Sequence, residues 1–479
     1  MTTLDTSSYA PGRAEPAGSG RGHTRRRLHP PVPRWWRHAA TTALWSSLAV
    51  VVALWALNGN VPMLAQDPGA ALISIGRLTG LLAADLLLVQ VLLMARIPFV
   101  EKAFGQDRLA ALHRWTGFSS INLMILHAIT MIAGYALTYD DNVFHEAWEI
   151  TANYPGMLMA VAAGGLLLMV AITSMRIARA KLRYESWHLL HLYAYLGTFL
   201  ALPHQIWVGH EFTDSAWARG YWWTLYAATT LAVLIFRVAA PIMRNRRAAI
   251  VVDRVGPESP GVVSVHLRGN QLDRLARPGQ FLTWRFLDRP GWTRGNPFSL
   301  SAAPTSTSMR ITVKDSGDGS ASLTRLRPGT RVFAEGPFGR IHPGVRTRRK
   351  VALIGAGIGI TPLRAMLEDL DVAPGDLTVI HRASSRADLV LDDEISELVE
   401  RRRGVVHNVV GPRVSSRPSW LPEQAAHLSD AGALRHLVPD IAEHDVFICG
   451  APQWMSAIAR AAADAGVPAE QIHTERFSW

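Results

Sequence analysis

Four histidines lie inside long apolar stretches in the first half of the sequence, where an ionisable side chain is costly and usually has a function. His113 and His127 are fourteen residues apart, and His191 and His204 are thirteen apart. Each pair would be separated by about 20 Å along a helix. Two imidazoles can fill both axial positions of a haem iron, which suits electron transfer. The spacing therefore predicts two haems, an inner one held by His113 and His191 and an outer one held by His127 and His204.

The two spacings differ in helical phase. A step of fourteen residues is nearly four turns, so His113 and His127 share one face of a helix. A step of thirteen would turn His204 away from His191 in a straight helix. Pro203 offers a kink that re-aims His204.

Two further residues lie near the predicted haems. His188 precedes His191 by three residues and is the alternative inner ligand; His191 is favoured because of its spacing to His204. Arg77 lies in the outward third of the second apolar stretch, where it would pair with a haem propionate or attract an anionic species. The alternative for Arg77 is that its head group reaches the membrane interface.

The apolar stretches themselves are each near the ~20 residues that cross a bilayer as a helix. Basic residues cluster at alternate junctions and acidic residues at the others, so the positive-inside rule predicts that both termini are cytosolic. The Arg-, Gly- and Pro-rich segment 1–34 is predicted to be disordered and to contact anionic membrane lipid. The predicted spans are 38–58, 71–95, 109–135, 155–175, 187–208 and 219–241.

Composition excludes several classes of protein. The single cysteine, Cys449, excludes an internal disulfide, a cysteine-ligated iron–sulfur cluster and a covalent haem attachment motif. The net charge of +11 comes with no nucleic-acid-binding motif, and the membrane topology explains it instead. The bias towards arginine over lysine, with abundant alanine and glycine, indicates a bacterial origin and hence a bacterial plasma membrane.

After the last apolar stretch the pattern changes to short β-like runs between Gly and Pro turns, typical of a small antiparallel barrel. From about residue 350 strands alternate with helices, which predicts a parallel α/β domain. The predicted fold is thus a six-helix transmembrane haem bundle followed by an antiparallel β-barrel domain and an α/β nucleotide-binding domain. Its predicted segments are 1–34 (basic N-terminus), 35–245 (haem bundle), 246–345 (barrel) and 346–479 (α/β domain).

A glycine-rich turn follows the first strand of the α/β domain and opens a helix. Glycines let the backbone approach a pyrophosphate, and the helix N-terminus favours the anion. The residues predicted to bind the nucleotide here are Gly355, Gly357, Gly359, Thr361 and Pro362.

The next strand ends in a basic, hydroxyl-bearing segment with Arg382, Ser385 and Arg386. An acidic residue at this place would suit a ribose hydroxyl, whereas arginine and serine suit a 2′-phosphate. NADPH is therefore favoured over NADH. The alternative is that Arg386 is an ordinary surface residue.

Six helices with these histidine spacings, followed by such a reductase module, resemble the ferric reductase and NADPH oxidase superfamily. The second half is similar to ferredoxin–NADP reductases, and the resemblance covers about residues 38–479. It implies FAD, two b-type haems and electron transfer from cytosolic NADPH to an external acceptor.

The segment Asn296–Ser301 resembles the family's flavin motif, His/Arg-Pro-Phe/Tyr-Ser/Thr. The resemblance implies that Phe298 stacks on the isoalloxazine and that the Ser299 hydroxyl lies near its reactive edge. Asn296 departs from the usual cation, so a charge contact to the cofactor phosphate is missing or supplied elsewhere. The residues so assigned to FAD are Pro297, Phe298, Ser299, Gly317, Gly319 and Ser320.

Two later segments also match the family. Cys449 and Gly450 resemble its Cys-Gly segment beside the nicotinamide; a small buried core cysteine is the alternative. Relatives end in an aromatic residue that covers the flavin, and here either Phe477 or Trp479 fits that role.

The external acceptor is the least constrained part of the prediction. NADPH oxidases commonly carry a second histidine one turn beyond the outer ligand, where this chain has Met131, which argues against superoxide production. Acidic, histidine-bearing outer segments favour Fe(III) or Cu(II) complexes. Reduction of O2 to superoxide is one alternative, and a haem-binding sensor or electron-transfer subunit is another.

Overall fold

The computed structural model describes residues 34–182, 184–287, 295–315, 322–339 and 341–475. These residues form two compact units, one ending at Ala240 and the other beginning at Pro241. The residues predicted to bind the flavin pyrophosphate (Gly317, Gly319, Ser320) and to cover the flavin (Phe477, Trp479) lie outside the described residues.

The first unit is helical. Helix α1 ends in a kinked turn at Asn58 and Gly59, where Gly59 has a φ of 78°. Helix α11 continues through the turn Val233–Ala239 into α12. The helices of this unit are α1 Arg34–Trp55, α2 Pro68–Met94, α3 Pro98–Phe104, α4 Gln106–Tyr139, α5 Val143–Asn153, α6 Met157–Ser174, α7 Arg176–Lys181, α8 Tyr184–Leu200, α9 Leu202–Val208, α10 His210–Thr213 and α11 Ala216–Ala232. Helix α12, Ala240–Ala248, belongs to the second unit except for its first residue.

Among the described residues, five helical segments are long and apolar enough to cross a membrane. The fifth predicted span, 187–208, is instead a pair of helices, α8 and α9, on either side of Ala201. The count of six spans therefore stays a prediction. The five segments are His38–Met63, Pro68–Met94, Arg108–Tyr139, Met157–Ser174 and Ala216–Ala248.

Large apolar side chains on these helices point away from the unit. Trp45 is 65% exposed, Leu158 68% and Phe199 69%. A water-soluble protein rarely exposes so much contiguous apolar surface, whereas lipid tails solvate it well. The exposed faces agree with a membrane-embedded unit.

The second unit begins with six strands in two antiparallel three-stranded sheets, β1-β2-β5 and β4-β3-β6. Single bridges join the sheets at both seams, Val251 with Arg331 and Leu300 with Ile311. Around Trp284 and Leu282, both fully buried, the inward-facing residues form one core. The strands are β1 Val251–Ser259, β2 Val262–Arg268, β3 Phe281–Phe286, β4 Asn296–Ser299, β5 Ser308–Lys314 and β6 Val332–Phe338, with the short helix α13 Leu272–Leu275 after β2.

The chain then forms a five-stranded parallel sheet of order β11-β10-β7-β8-β9. The predicted change from antiparallel strands to a parallel α/β sheet is confirmed. The central strands are buried on both faces, as parallel strands between helices must be. The elements are β7 Lys350–Ala356, α14 Ile360–Asp369, β8 Leu377–Ala383, α15 Asp392–Arg401, β9 Val405–Val410, α16 Asp430–Leu437, β10 His444–Cys449, α17 Pro452–Asp464 and β11 Ile472–Thr474.

Asp445, fully buried at the start of β10, is bonded both to the segment before β7 and to β11. Its carboxylate accepts hydrogen bonds from the amides of Thr347 (2.7 Å) and Arg348 (2.6 Å) and from His473 Nε2 (2.9 Å). Burial alone would raise the pKa of Asp445, but these hydrogen bonds outweigh it and hold the pKa below its ordinary value. The ionised form is thus the one that the fold stabilises.

We expect Asp445→Ala to lower the thermal midpoint of the second unit, because two amides would each lose an acceptor at about 1–3 kcal/mol. Since the folded pKa is depressed, the wild-type contribution is present above the ordinary value of about 3.9 and is lost as pH falls through the lower folded value. Calorimetry of both proteins from pH 7 to pH 3 measures this. Asp464→Ala, at an exposed position on α17, is the control; equal midpoints for the two variants at pH 7 would contradict the assignment.

Candidate functional site

Helix α4 carries His113 and His127, and both rings are oriented by the backbone of α2. His113 Nδ1 lies 3.1 Å from the carbonyl oxygen of Gln90, and His127 Nδ1 lies 2.7 Å from that of Gly76. A carbonyl can only accept, so Nδ1 carries the proton in each ring and Nε2 keeps its lone pair. This is the arrangement of imidazoles that bind a metal through Nε2.

The structure brings His113 together with His191 of α8. Their ring centres are 5.9 Å apart, with an interplanar angle of 62°. Two imidazoles at ~2 Å from one metal on opposite sides would have ring centres roughly 6 Å apart, so the pair fits a bis-histidine iron. His191 Nδ1 lies 3.2 Å from Ser174 Oγ. His188 lies beside Trp187, with ring centres 6.5 Å apart, while the ring that pairs with His113 is that of His191.

His204 lies on α9, after the helix is interrupted at Ala201. Pro203 has no N–H to continue the α8 hydrogen-bond ladder, which explains a break at this place. His204 lies close enough to His127 for the two rings to interact electrostatically. A Cβ atom at Gly156 would lie 2.8 Å from the His204 backbone nitrogen, so this glycine lets the chain before α6 pack against α9.

Glycines on α2 make room for the outer histidine. A Cβ at Gly80 would lie 2.6 Å from His127 Nδ1, and one at Gly76 would lie 2.7 Å from Met131 Sδ. The sequence analysis did not identify these residues. The Gly76-x-x-x-Gly80 spacing, a common sign of close helix packing in membranes, is the signal that could have found them.

Arg77 is held by the kinked turn after α1. Its Nη1 donates to Asn60 Oδ1 at 3.0 Å, and Asn60 is fully buried. Glu211 of α10, 4% exposed, interacts electrostatically with Arg77 and accepts a short hydrogen bond from Asn58. Burial raises the pKa of Glu211 above its ordinary value. Asn58, Asn60 and Glu211 were not identified from the sequence, because polar residues in a connecting segment are unremarkable there.

The flavin segment is β4, paired with β3 in the barrel. Leu282 lies opposite Phe298 and Thr283 opposite Pro297, while Trp284 Nε1 donates to the Phe298 carbonyl at 3.0 Å. This hydrogen bond links the backbone of the segment to a side chain in the barrel core. Ser299 is 9% exposed at the end of the strand.

The predicted nucleotide loop and the cysteine segment meet at the carboxyl ends of adjacent strands β7 and β10. A Cβ at Gly359 would lie 2.6 Å from the Cys449 carbonyl oxygen and 2.7 Å from Gly450 Cα. Gly357 has a φ of 50°, which favours glycine. Ligands of parallel sheets bind at this edge. Cys449 is fully buried, and burial raises the pKa of its thiol, so it is no nucleophile.

Arg382 is turned into the protein. It is 4% exposed, and its guanidinium donates to the carbonyl oxygens of Val409 (3.4 Å), Pro412 (3.1 Å) and Trp420 (3.3 Å). Burial, with the charge of Arg413, lowers the pKa of Arg382 to about 10. Its hydrogen-bond donors therefore hold the loop after β9.

Ser385 and Arg386, by contrast, are both exposed at the end of β8. They are therefore placed where a nucleotide could reach them.

Two family models match the chain. Residues 79–202 match the ferric reductase like transmembrane component, and residues 353–460 match the oxidoreductase NAD-binding domain. The first match covers α2 to the start of α9 and the second covers β7 to α17, so the two correspond to the helical unit and to the parallel sheet.

Curated relatives match chiefly through oxidoreductase modules. A flavohemoprotein of Xylella fastidiosa is 26% identical over 391 residues, 75% of this chain and 94% of that protein. The ferredoxin reductase component of a 3-ketosteroid-9-alpha-monooxygenase from Mycobacterium tuberculosis is 31% identical over 208 residues, 42% of this chain and 54% of that protein. Ferredoxin–NADP reductase B of Sorangium cellulosum is 29% identical over 205 residues, 40% of this chain and 81% of that protein. The match to the NAD-binding domain supports binding of a nicotinamide nucleotide by the second unit.

The contact between Gly80 and His127 gives a test of the outer histidine. We expect Gly80→Ala to displace the His127 ring and to lower the haem content of the purified protein, because the new Cβ would overlap Nδ1. Gly164→Ala on α6, where a Cβ would meet nothing within 4 Å, is the matched control. The haem-to-protein ratio from the visible spectrum measures the effect; equal ratios in both variants would refute the placement.

Proposed function

We propose that this chain, which matches a ferric reductase like transmembrane component and an oxidoreductase NAD-binding domain, is a fusion of the ferric reductase and NADPH oxidase type and carries electrons across a membrane. The donor is cytosolic NADPH, the carriers are FAD and two b-type haems, and the acceptor outside is a ferric or cupric complex. The bacterial plasma membrane, crossed six times with both termini in the cytosol, is the proposed location.

The single observation that carries the proposal is the pairing of His113 with His191, with ring centres 5.9 Å apart. The donor set supports haem: the two imidazole rings lie side by side, and because Nδ1 of His113 is committed to a backbone carbonyl, its Nε2 is left to bind a metal. His127 is oriented in the same way and supports a second site toward the other end of α4. Along α4 the two histidines are about 21 Å apart.

The reductase residues have positioning tasks. Phe298 and Ser299 would hold the isoalloxazine at the end of β4. The glycine loop and Cys449–Gly450, in contact at the edge of the sheet, would hold the nicotinamide nucleotide. A flavin supplies the conversion from the electron pair of a hydride to the single electrons that haem accepts. One NADPH thereby reduces two Fe(III) ions, and no side chain has to act as acid or base on the acceptor.

Acidic and histidine side chains on the proposed outer side support a metal-ion complex as the acceptor. His145 Nδ1 lies 2.5 Å from Asp141, and His210 forms a close ion pair with Asp214. The hydrogen bond with Asp141 raises the pKa of His145, and the same hydrogen bond lowers the pKa of Asp141, so each side chain stabilises the charged form of the other. Met131, in place of a second histidine, argues against O2 as the acceptor, and its sulfur packs on Gly76.

An anaerobic visible spectrum tests the whole route. We expect NADPH to bring up the sharp bands of reduced six-coordinate b haem in the FAD-loaded protein. Addition of Fe(III) citrate to the outer face of vesicles should then reoxidise the haem and yield Fe(II), trapped by a chelator. Haem that dithionite reduces but NADPH does not would contradict the route. Superoxide in place of Fe(II), once air is admitted, would instead assign O2 as the acceptor.

The nucleotide preference has its own test. We expect Arg386→Ala to raise the KM for NADPH roughly tenfold with little change for NADH, because a charged hydrogen bond to the 2′-phosphate contributes about 1.5–3 kcal/mol. Arg401→Ala, an exposed arginine on α15 paired with Glu397, should leave both KM values unchanged. Steady-state rates with ferricyanide as acceptor provide the measurement. An equal rise in the KM values for NADPH and NADH in Arg386→Ala would show that Arg386 does not bind the 2′-phosphate.

A further inference from the structure

Two arginines are buried between the barrel and the nucleotide-binding sheet. Arg310 of β5 is 8% exposed, and Arg364 of α14 is 7% exposed. Removing a guanidinium from water costs several kcal/mol unless excellent partners replace the solvent. The partners of these two side chains therefore indicate what the burial achieves.

Glu394, in the first turn of α15, bridges the two arginines. Arg310 donates to it in bidentate fashion, with Nη1 2.8 Å from Oε1 and Nη2 2.8 Å from Oε2. Arg364 Nη2 lies 2.6 Å from the same Oε2. The hydrogen bonds from Arg310 hold the pKa of Glu394 below its ordinary value, and the start of a helix further favours a carboxylate. A second carboxylate, Glu368, lies 2.7 Å from Arg364 Nη1.

Both arginines converge on Ser301. Its carbonyl oxygen accepts from Arg310 Nη2 at 3.1 Å and from Arg364 Nη1 at 3.0 Å. Its hydroxyl oxygen accepts from Arg310 Nε at 3.2 Å and from Thr312 Oγ1 at 2.7 Å. Ser301 is fully buried, and charged donors from β5 and α14 hold it in place.

Ser301 and Arg364 each lie next to a proposed cofactor segment. Ser301 follows the flavin strand by two residues, and Arg364 follows Thr361 by three residues on the helix that the glycine loop opens. We call Ser301, Arg310, Arg364, Glu368 and Glu394 the interdomain cluster. It joins the two segments by charge-assisted hydrogen bonds that need not touch either cofactor.

Hydride transfer needs the reacting carbon and nitrogen about 3–3.5 Å apart, and an error of about 1 Å can lower the rate by orders of magnitude. We propose that Glu394 is a positioning residue which, through Arg310 and Arg364, fixes the flavin segment against the nicotinamide loop. The proposal rests on the proposed function only in taking NADPH as the donor to FAD. Its structural part, the coupling of β4 to α14, stands independently.

The test compares Glu394→Gln with the wild type in the full-length, FAD-loaded chain. We expect the rate constant of anaerobic flavin reduction, at saturating NADPH and per bound FAD, to fall at least tenfold. NADPH deuterated at the transferred position should then give a larger isotope effect than in the wild type, because hydride transfer has become the slow step. A purely stabilising role would lower the FAD content without changing the rate per bound FAD.

Glu397→Gln is the matched control, since Glu397 lies on the same helix in an exposed pair with Arg401. A rate per FAD that Glu394→Gln leaves unchanged, or that Glu397→Gln lowers equally, would overturn the proposal. Should Glu394→Gln fail to fold, Arg310→Gln/Glu394→Gln removes both charges of the bidentate pair together, which is far less costly than leaving one charge buried alone. The same rate criterion then applies to this double variant.

Hydrogen exchange separates this proposal from the proposed function. We expect Glu394→Gln to accelerate amide exchange in residues 296–303 and 360–369 together, and Glu397→Gln to leave both unchanged. If wild-type flavin is not reduced by NADPH, the proposed function fails, and the exchange result alone decides the positioning role. Absence of coupled acceleration in these two segments would overturn that role in either case.

Discussion

Within a bilayer no water is available to satisfy an imidazole N–H, so a histidine in a span depends on acceptors that the protein supplies. On α4 both acceptors are backbone carbonyls of α2, those of Gln90 and Gly76. Carbonyls of a helix are normally committed to its own N–H groups, and their second lone pair is reached only where another helix comes close. Glycine spacing on α2 permits that approach. The orientation of the proposed haem ligands thus depends on how closely two helices pack.

In the second unit, close backbone contacts and buried arginines fix the relative positions of the chain segments. Its segments come together where one backbone touches another, as Gly359 does against Cys449 and Gly450. Other segments are joined by hydrogen bonds from buried arginines. Arg382 donates to a carbonyl oxygen in the loop after β9, and Arg310 and Arg364 both donate to the carbonyl oxygen of Ser301. Guanidinium groups suit this task because they offer five donors in a rigid plane. In both units backbone carbonyls accept hydrogen bonds that set the geometry, and in the second unit the carboxylates of Glu394 and Asp445 do so as well.

The sequence identified residues that are costly to bury in an apolar stretch and residues that allow unusual backbone conformations. Histidines in apolar stretches, glycines before a helix and the change from antiparallel to parallel strands could all be predicted from pattern. The carbonyl acceptors could not, because every residue has one and only tertiary packing selects Gln90 or Gly76. For the same reason Arg382 looked like a phosphate ligand, whereas the fold turns it inward. The interruption of the fifth predicted span was expected only as a kink at Pro203, whereas in the structure one helix ends at Leu200 and another begins at Leu202.

The two helices that bear the proposed ligands are built differently: α4 runs unbroken from Gln106 to Tyr139, while the chain from His191 to His204 is interrupted at Ala201. An unbroken helix has a fixed phase, so inserting or deleting one residue between His113 and His127 would rotate one ring by about 100° relative to the other. The segment from His191 to His204 can accommodate an inserted or deleted residue at its interruption, Ala201. Over evolutionary time, therefore, relatives of this chain should vary in the length of the second histidine interval far more readily than in the first.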